Sequence, residues 1–166
     1  MRRNRRQRGF SLIELLIVIA IILIIVTVAL PKLNKARLYA QEMAAQKAVQ
    51  TLSAAQVQYM SQFGRFAQSL TELGPPVSGT DNASAAGLIS ADLASGEKQG
   101  YKFTVVGTPT GYAITAVPKS FGATGSRTFY ADQSMDIRYN EGQEPATANS
   151  PIVGSAAATK SGDATK

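Results

Sequence analysis

Polar and apolar positions divide this chain into stretches of very different character. From Phe10 to Leu30 only Ser11, Glu14 and Thr27 of 21 residues are polar. At about 1.5 Å per residue, a helix of that length crosses a hydrocarbon layer of about 30 Å. From Lys32 the pattern becomes helical and two-faced. Leu33, Ala36, Ala40, Met43, Ala48, Leu52, Ala55, Tyr59 and Phe63 recur mostly at steps of three and four, an apolar stripe on an amphipathic helix. Lys35, Gln41, Glu42, Gln46, Lys47 and Gln50 fill much of the other face, and Gly64 is the stop signal. A helix continuous over 10–63 has 54 residues and is about 80 Å long. A domain of this size cannot bury such a rod, so its first half belongs in lipid or among other copies. Pro31 lies inside it and cannot donate to the carbonyl of Thr27, which predicts a kink or loosened turn there.

Beyond Gly64 the period is lost over a long connector, 64–100, in which Ser69–Leu73 reads as a helical turn ended by Gly74-Pro75-Pro76. Leu88, Ile89 and Leu93 are expected to tuck onto the domain. Strand patterns follow at Tyr101–Val105, Tyr112–Val117, Arg127–Tyr130 and Met135–Tyr139, separated by glycine-, proline- and aspartate-rich turns. About four antiparallel strands with one apolar face need a cover, and the 32–63 half of the helix supplies it. The fold class is therefore α+β. From Glu141 to Lys166 the chain is mostly Gly, Ala, Ser, Thr and Pro, too poor in apolar residues to offset its ordering entropy, so a mobile tail is expected.

Charge sharpens the N-terminal reading. Arg2, Arg3, Arg5, Arg6 and Arg8 precede the apolar run with no acid among them, which keeps that end on the cytoplasmic side of a membrane. The run is longer than the core of a secretory signal and lacks a small-residue cleavage site. Glu14 is then a carboxylate inside a membrane span, a costly placement that by default marks function and a partner.

The residues Arg8-Gly9-Phe10-Ser11-Leu12-Ile13-Glu14-Leu15-Leu16 resemble the N-terminal signature of the type IV pilins and their pseudopilin relatives. The resemblance implies a leader, 1–9, that a prepilin peptidase removes by cutting after Gly9, and methylation of the new N-terminal residue, Phe10, by the same enzyme. It implies a pilin fold, with residues 10–31 as the membrane and fibre-core half of the helix and 32–63 as the half packed on the globular region. Residues 64–140 are then connector and sheet, and 141–166 the tail. In such a fibre the α-amino group of Phe10, on the same chain or a neighbour, meets Glu14 and sets the axial register. By the same resemblance the chain is a subunit of a homo-oligomeric helical filament. It is held in the inner membrane before assembly and is extracellular afterwards, serving adhesion, twitching motility or DNA uptake. An assembly ATPase and an inner-membrane platform protein are the implied partners. The alternative within the superfamily is a pseudopilin of a type II secretion system.

Composition excludes much else. The formal +6 falls to 12 Lys+Arg against 11 Asp+Glu once the leader is gone, so no basic stripe argues for nucleic acid. There is neither cysteine nor histidine, and no glycine run leads into a phosphate-binding Lys-Ser/Thr. No enzyme and no cofactor is expected. Asp132 and Asp136 flank Gln133-Ser134-Met135, which lacks an EF-hand pattern and reads as a turn. Asn82-Ala83-Ser84 matches a glycosylation sequon, a pattern frequent by chance.

Overall fold

The computed structural model describes residues 10–155. The leader, the cleavage position Gly9 and the final tail residues lie outside them. The chain forms two units, Met1–Arg37 and Leu38–Lys166, and one helix, α1 (Leu12–Phe63), supplies residues to both. It begins two residues later than the apolar pattern, because Ser11 is its N-cap rather than its first turn. The helical assignment runs through Pro31.

In the second unit α1 is followed by two single-turn helices, α2 (Leu70–Leu73) and α3 (Ala91–Ala94), and then by strands. These are β1 (Glu97–Lys98), β2 (Tyr101–Gly107), β3 (Tyr112–Pro118), β4 (Thr128–Asp132) and β5 (Ile137–Asn140). They form one antiparallel meander in the order β1-β2-β3-β4-β5. The sheet thus has five strands where the alternation pattern predicts about four. The extra one, β1, is two residues long and pairs Glu97 with Lys102 and Lys98 with Tyr101, too short to show any period.

Alternation decides the buried face. Tyr101, Phe103 and Val105 of β2, Tyr112, Ile114 and Ala116 of β3, and Phe129 and Ala131 of β4 are buried. They form one cluster with Val49, Leu52 and Tyr59 of α1 and with Leu70, Leu73, Ile89 and Leu93 from the connector. Gly125 sits where an added Cβ would run into the Tyr101 ring and hydroxyl. That close approach lets Tyr101 donate to the Arg127 carbonyl at 2.9 Å.

The buried stripe of α1 differs from the apolar one in the sequence. It is Glu42, Ala45, Val49, Leu52, Gln56 and Tyr59, with Ala48, Ser53 and Ala55 beside it. Leu33, Tyr39 and Met43 are exposed, as are Ala36 and Ala40. Two polar residues occupy core positions because each finds partners. Gln56 is fully buried; its amide accepts from Ala67 N–H and donates to the Ala67 carbonyl, both at 2.9 Å. Glu42 Oε1 accepts from the backbone N–H and the hydroxyl of Ser126 at 2.8 and 2.6 Å.

The first half of the segment expected as a tail makes defined contacts with the sheet. Thr128 donates to the Glu144 carbonyl and accepts from Ala146 N–H, both at 2.9 Å, and Ala146 is buried. Tyr139 N–H then donates to the Pro151 carbonyl and Val153 N–H to the Ile137 carbonyl, so Ile152 bridges Arg138 along the open edge of β5. Backbone pairing at a sheet edge gives partners to a segment that has little apolar surface of its own.

Candidate assembly surface

The candidate surface begins at the first turn of α1. Ser11 is followed three residues later by Glu14, the spacing of a capping box. The Glu14 carboxylate reaches back to accept the Ser11 backbone N–H at 3.0 Å, and Leu15 N–H closes the turn onto the Ser11 carbonyl at 3.3 Å. A carboxylate over the free N–H groups of a helix start is also favoured by the helix dipole. In the isolated chain the acid is thus answered by its own helix. In the uncut chain the Phe10 nitrogen is an amide, whereas the amine partner expected from the sequence is that of the cleaved chain.

Thr27, the other hydroxyl in the span, donates to the Ile24 carbonyl at 2.8 Å. With Glu14 and Thr27 satisfied within the helix, the segment beyond Glu14 offers hydrocarbon all round. Phe10 is 88% exposed, and every large apolar residue from Leu12 to Leu33 is exposed. The most apolar stretch of 18 residues is 0% buried within the chain. That is far more apolar surface than a water-soluble monomer leaves open. Its length and composition are those of a membrane span.

In the second unit a polar cluster holds the connector on α1. Glu72 accepts from Arg65 at 2.8 Å and from Gln68 N–H at 2.9 Å. Tyr59 donates to the Ala83 carbonyl at 2.5 Å, with Glu72 Oε2 3.2 Å away. The Arg65 guanidinium lies 5.3 Å from the centre of the Tyr59 ring. Burial alone would raise the Glu72 carboxyl, but the Arg65 and Gln68 hydrogen bonds outweigh it and hold it below the usual carboxylate range. Burial, and next the Glu72 charge, push the Tyr59 phenol up. On the exposed side, its bond to Lys98 takes Asp92 down to about 2.

The site residues named from sequence therefore all belong to the first unit. Phe10 and Glu14 fall at the start of the exposed apolar segment, Pro31 in its backbone, and Gly9 outside the described residues. Glu42, Gln56, Arg65 and Glu72 carry no motif that marks them in the sequence. A purely apolar periodicity misses Glu42 and Gln56, although the steps 42, 45, 49, 52, 56, 59 are themselves a regular three-four alternation. Asp132 and Asp136 do not come together on a site. Asp132 caps Ser134 N–H at 2.9 Å, Asp136 lies 3.8 Å from Arg138, and among the described residues no group of three acids is placed to hold a metal.

The family described as the prokaryotic N-terminal methylation motif matches residues 4–30. A curated relative, the type IV major pilin protein PilA of Myxococcus xanthus (strain DK1622), is 37% identical over 73 residues, 44% of this chain. The chain spans about a third of that relative's length, 33%. No solved structure matches. Likeness to a major pilin supports a structural, non-enzymatic protein, and the long apolar helix fits a membrane-anchored one.

Proposed function

We propose, from the type IV pilin that motif and relative support, that this chain is the structural subunit of a surface filament. It enters the inner membrane with its arginines in the cytoplasm, is cut after Gly9 and is methylated on Phe10. Copies then polymerise through the 10–31 half of the helix into an extracellular pilus that serves adhesion, twitching motility or DNA uptake. A prepilin peptidase, an assembly ATPase and an inner-membrane platform protein act on it. The observation that carries the reading is the apolar segment with one acid at its start and no cover among the described residues.

The capping geometry suggests the order of events. While the subunit waits in lipid, Ser11 N–H keeps the Glu14 carboxylate partnered, which lowers the cost of an acid near hydrocarbon. Cleavage frees an amine at Phe10 with an ordinary pKa of about 7.7–8.0, one turn from that carboxylate. In a bundle of such helices the amine of one copy then answers the acid of the next and sets register. Pro31 loosens the helix at the outer end of the packed segment.

Electron microscopy and mass spectrometry of sheared cell-surface material test this. Filaments built of chains that begin at Phe10, one methyl group heavier than the bare sequence, are expected. Glu14→Gln keeps the Ser11 bond and loses the charge, so that variant is expected in the membrane but not in filaments. Mature chains that retain their arginines, or normal filaments from Glu14→Gln, refute the reading.

A further inference from the structure

We propose that the recess beside Glu42 is a socket for a cationic side chain of a second copy of this chain, supplied by Lys32, Lys35 or Arg37. The proposal rests on the filament reading above. Glu42 is 7% exposed, and both of its hydrogen bonds, from Ser126, fall on Oε1. Among the described residues no cation forms an ion pair with it. Withdrawing a carboxylate from water without a counter-charge is costly, and two hydrogen bonds offset only part of that cost.

The same carboxylate lines a recess of about 110 Å³ walled by Tyr39, Phe129 and Tyr139, with Arg127 beside them. Arg127 does not neutralise Glu42. It pairs with Glu141 at 3.0 Å, and its guanidinium lies over the Tyr139 ring at 5.2 Å. Of the two charged residues that line the recess, Arg127 is engaged by Glu141, which is not among the lining residues, and Glu42 is left without an ion-pair partner among the described residues. A carboxylate with no ion-pair partner beside aromatic walls suits an ammonium or guanidinium. At about 30 Å³ for a water-sized group, its volume takes a charged head and the last methylenes of a lysine. A calcium ion, by contrast, needs six or more oxygen ligands.

The complementary charges are carried by this chain. Lys32, Lys35 and Arg37 are exposed, take part in no ion pair among the described residues, and sit just past the apolar segment that filament packing would bring beside neighbouring copies. An ion pair there adds a second register contact, distant in sequence from Glu14.

Two measurements on the full-length protein in cells test the socket. Glu42→Gln keeps the acceptor for Ser126 and the volume, and removes only the charge. About tenfold fewer filaments, or filaments that fall apart at several-fold lower salt, are expected, with an unchanged melting temperature of the detergent-solubilised subunit. Because the chain has no cysteine, Gln46→Cys at the rim can be combined in turn with Lys32→Cys, Lys35→Cys or Arg37→Cys. A short bis-maleimide should then produce a covalent ladder in sheared filaments from at least one pairing, and none when Lys102→Cys is the second site. Double-cysteine variants that assemble into filaments yet give no ladder in any of the three pairings overturn the proposal, as does Glu42→Gln that assembles with wild-type yield and salt tolerance. In both cases Glu42 serves only to latch Ser126. If Glu42→Gln fails to fold, the ladder alone decides. A wild type that makes no filaments fails the filament reading itself.

Discussion

Replacing Gln56 by methionine tests how α1 is held to the connector. The two side chains are similar in length and volume, so no cavity or clash is introduced. What is lost is the pair of hydrogen bonds to Ala67, whose N–H and carbonyl are both buried with the residue at 0% exposure. Each buried backbone group left without a partner costs about 1–3 kcal/mol, so two cost about 2–6 kcal/mol. The better burial of a thioether returns about 1 kcal/mol of that. A net loss of about 1–5 kcal/mol is a substantial part of the roughly 5–15 kcal/mol available to a domain. The assay is denaturant unfolding of the full-length chain in detergent, followed by the near-ultraviolet dichroism of its tyrosines, with Gln58→Met on the exposed face as control. Gln56→Glu adds a diagnostic, because its carboxylate would face the Ala67 carbonyl. Its protonated form suits the folded state better, so that variant should gain stability as pH falls. A Gln56→Met change within about 0.5 kcal/mol of wild type, the range of ordinary surface substitutions, would refute the reasoning.

Glu72 is held below its ordinary range in the folded chain, so its contribution is present above the unfolded carboxylate value, about 4.3, and is lost as pH falls through the folded one. Unfolding curves between neutral and strongly acidic pH should show Glu72→Gln with a shallower acid limb than wild type; equal slopes would count against the Arg65–Glu72 contact. Gly125→Ala should destabilise by about 1–3 kcal/mol, because its methyl meets the Tyr101 ring; hydrogen exchange of the β3–β4 turn reports the loss. Ending the chain after Ser150 uncovers the β5 edge that Pro151 and Val153 pair with and should increase aggregation of the solubilised subunit, seen by light scattering. Ending it after Ser155 should not.

The sequence by itself determined the first unit. A membrane-length apolar run, its lone acid and the arginines before it are properties of consecutive residues, so they need no knowledge of distant contacts. Even the Ser11–Glu14 cap spans a single turn. It also determined the faces of β2 to β4, because a two-residue period survives in any packing. Tertiary structure alone decided which face of α1 is inside. Glu42 and Gln56 look like surface residues until Ser126, from far along the chain, and Ala67, from the connector, satisfy them, whereas Leu33 and Met43 look like core residues and are exposed. The strand β1 and the pairing of Ile152 with Arg138 were illegible for a related reason. Both are held by backbone hydrogen bonds to a neighbour already in place, and the backbone carries no side-chain pattern to read.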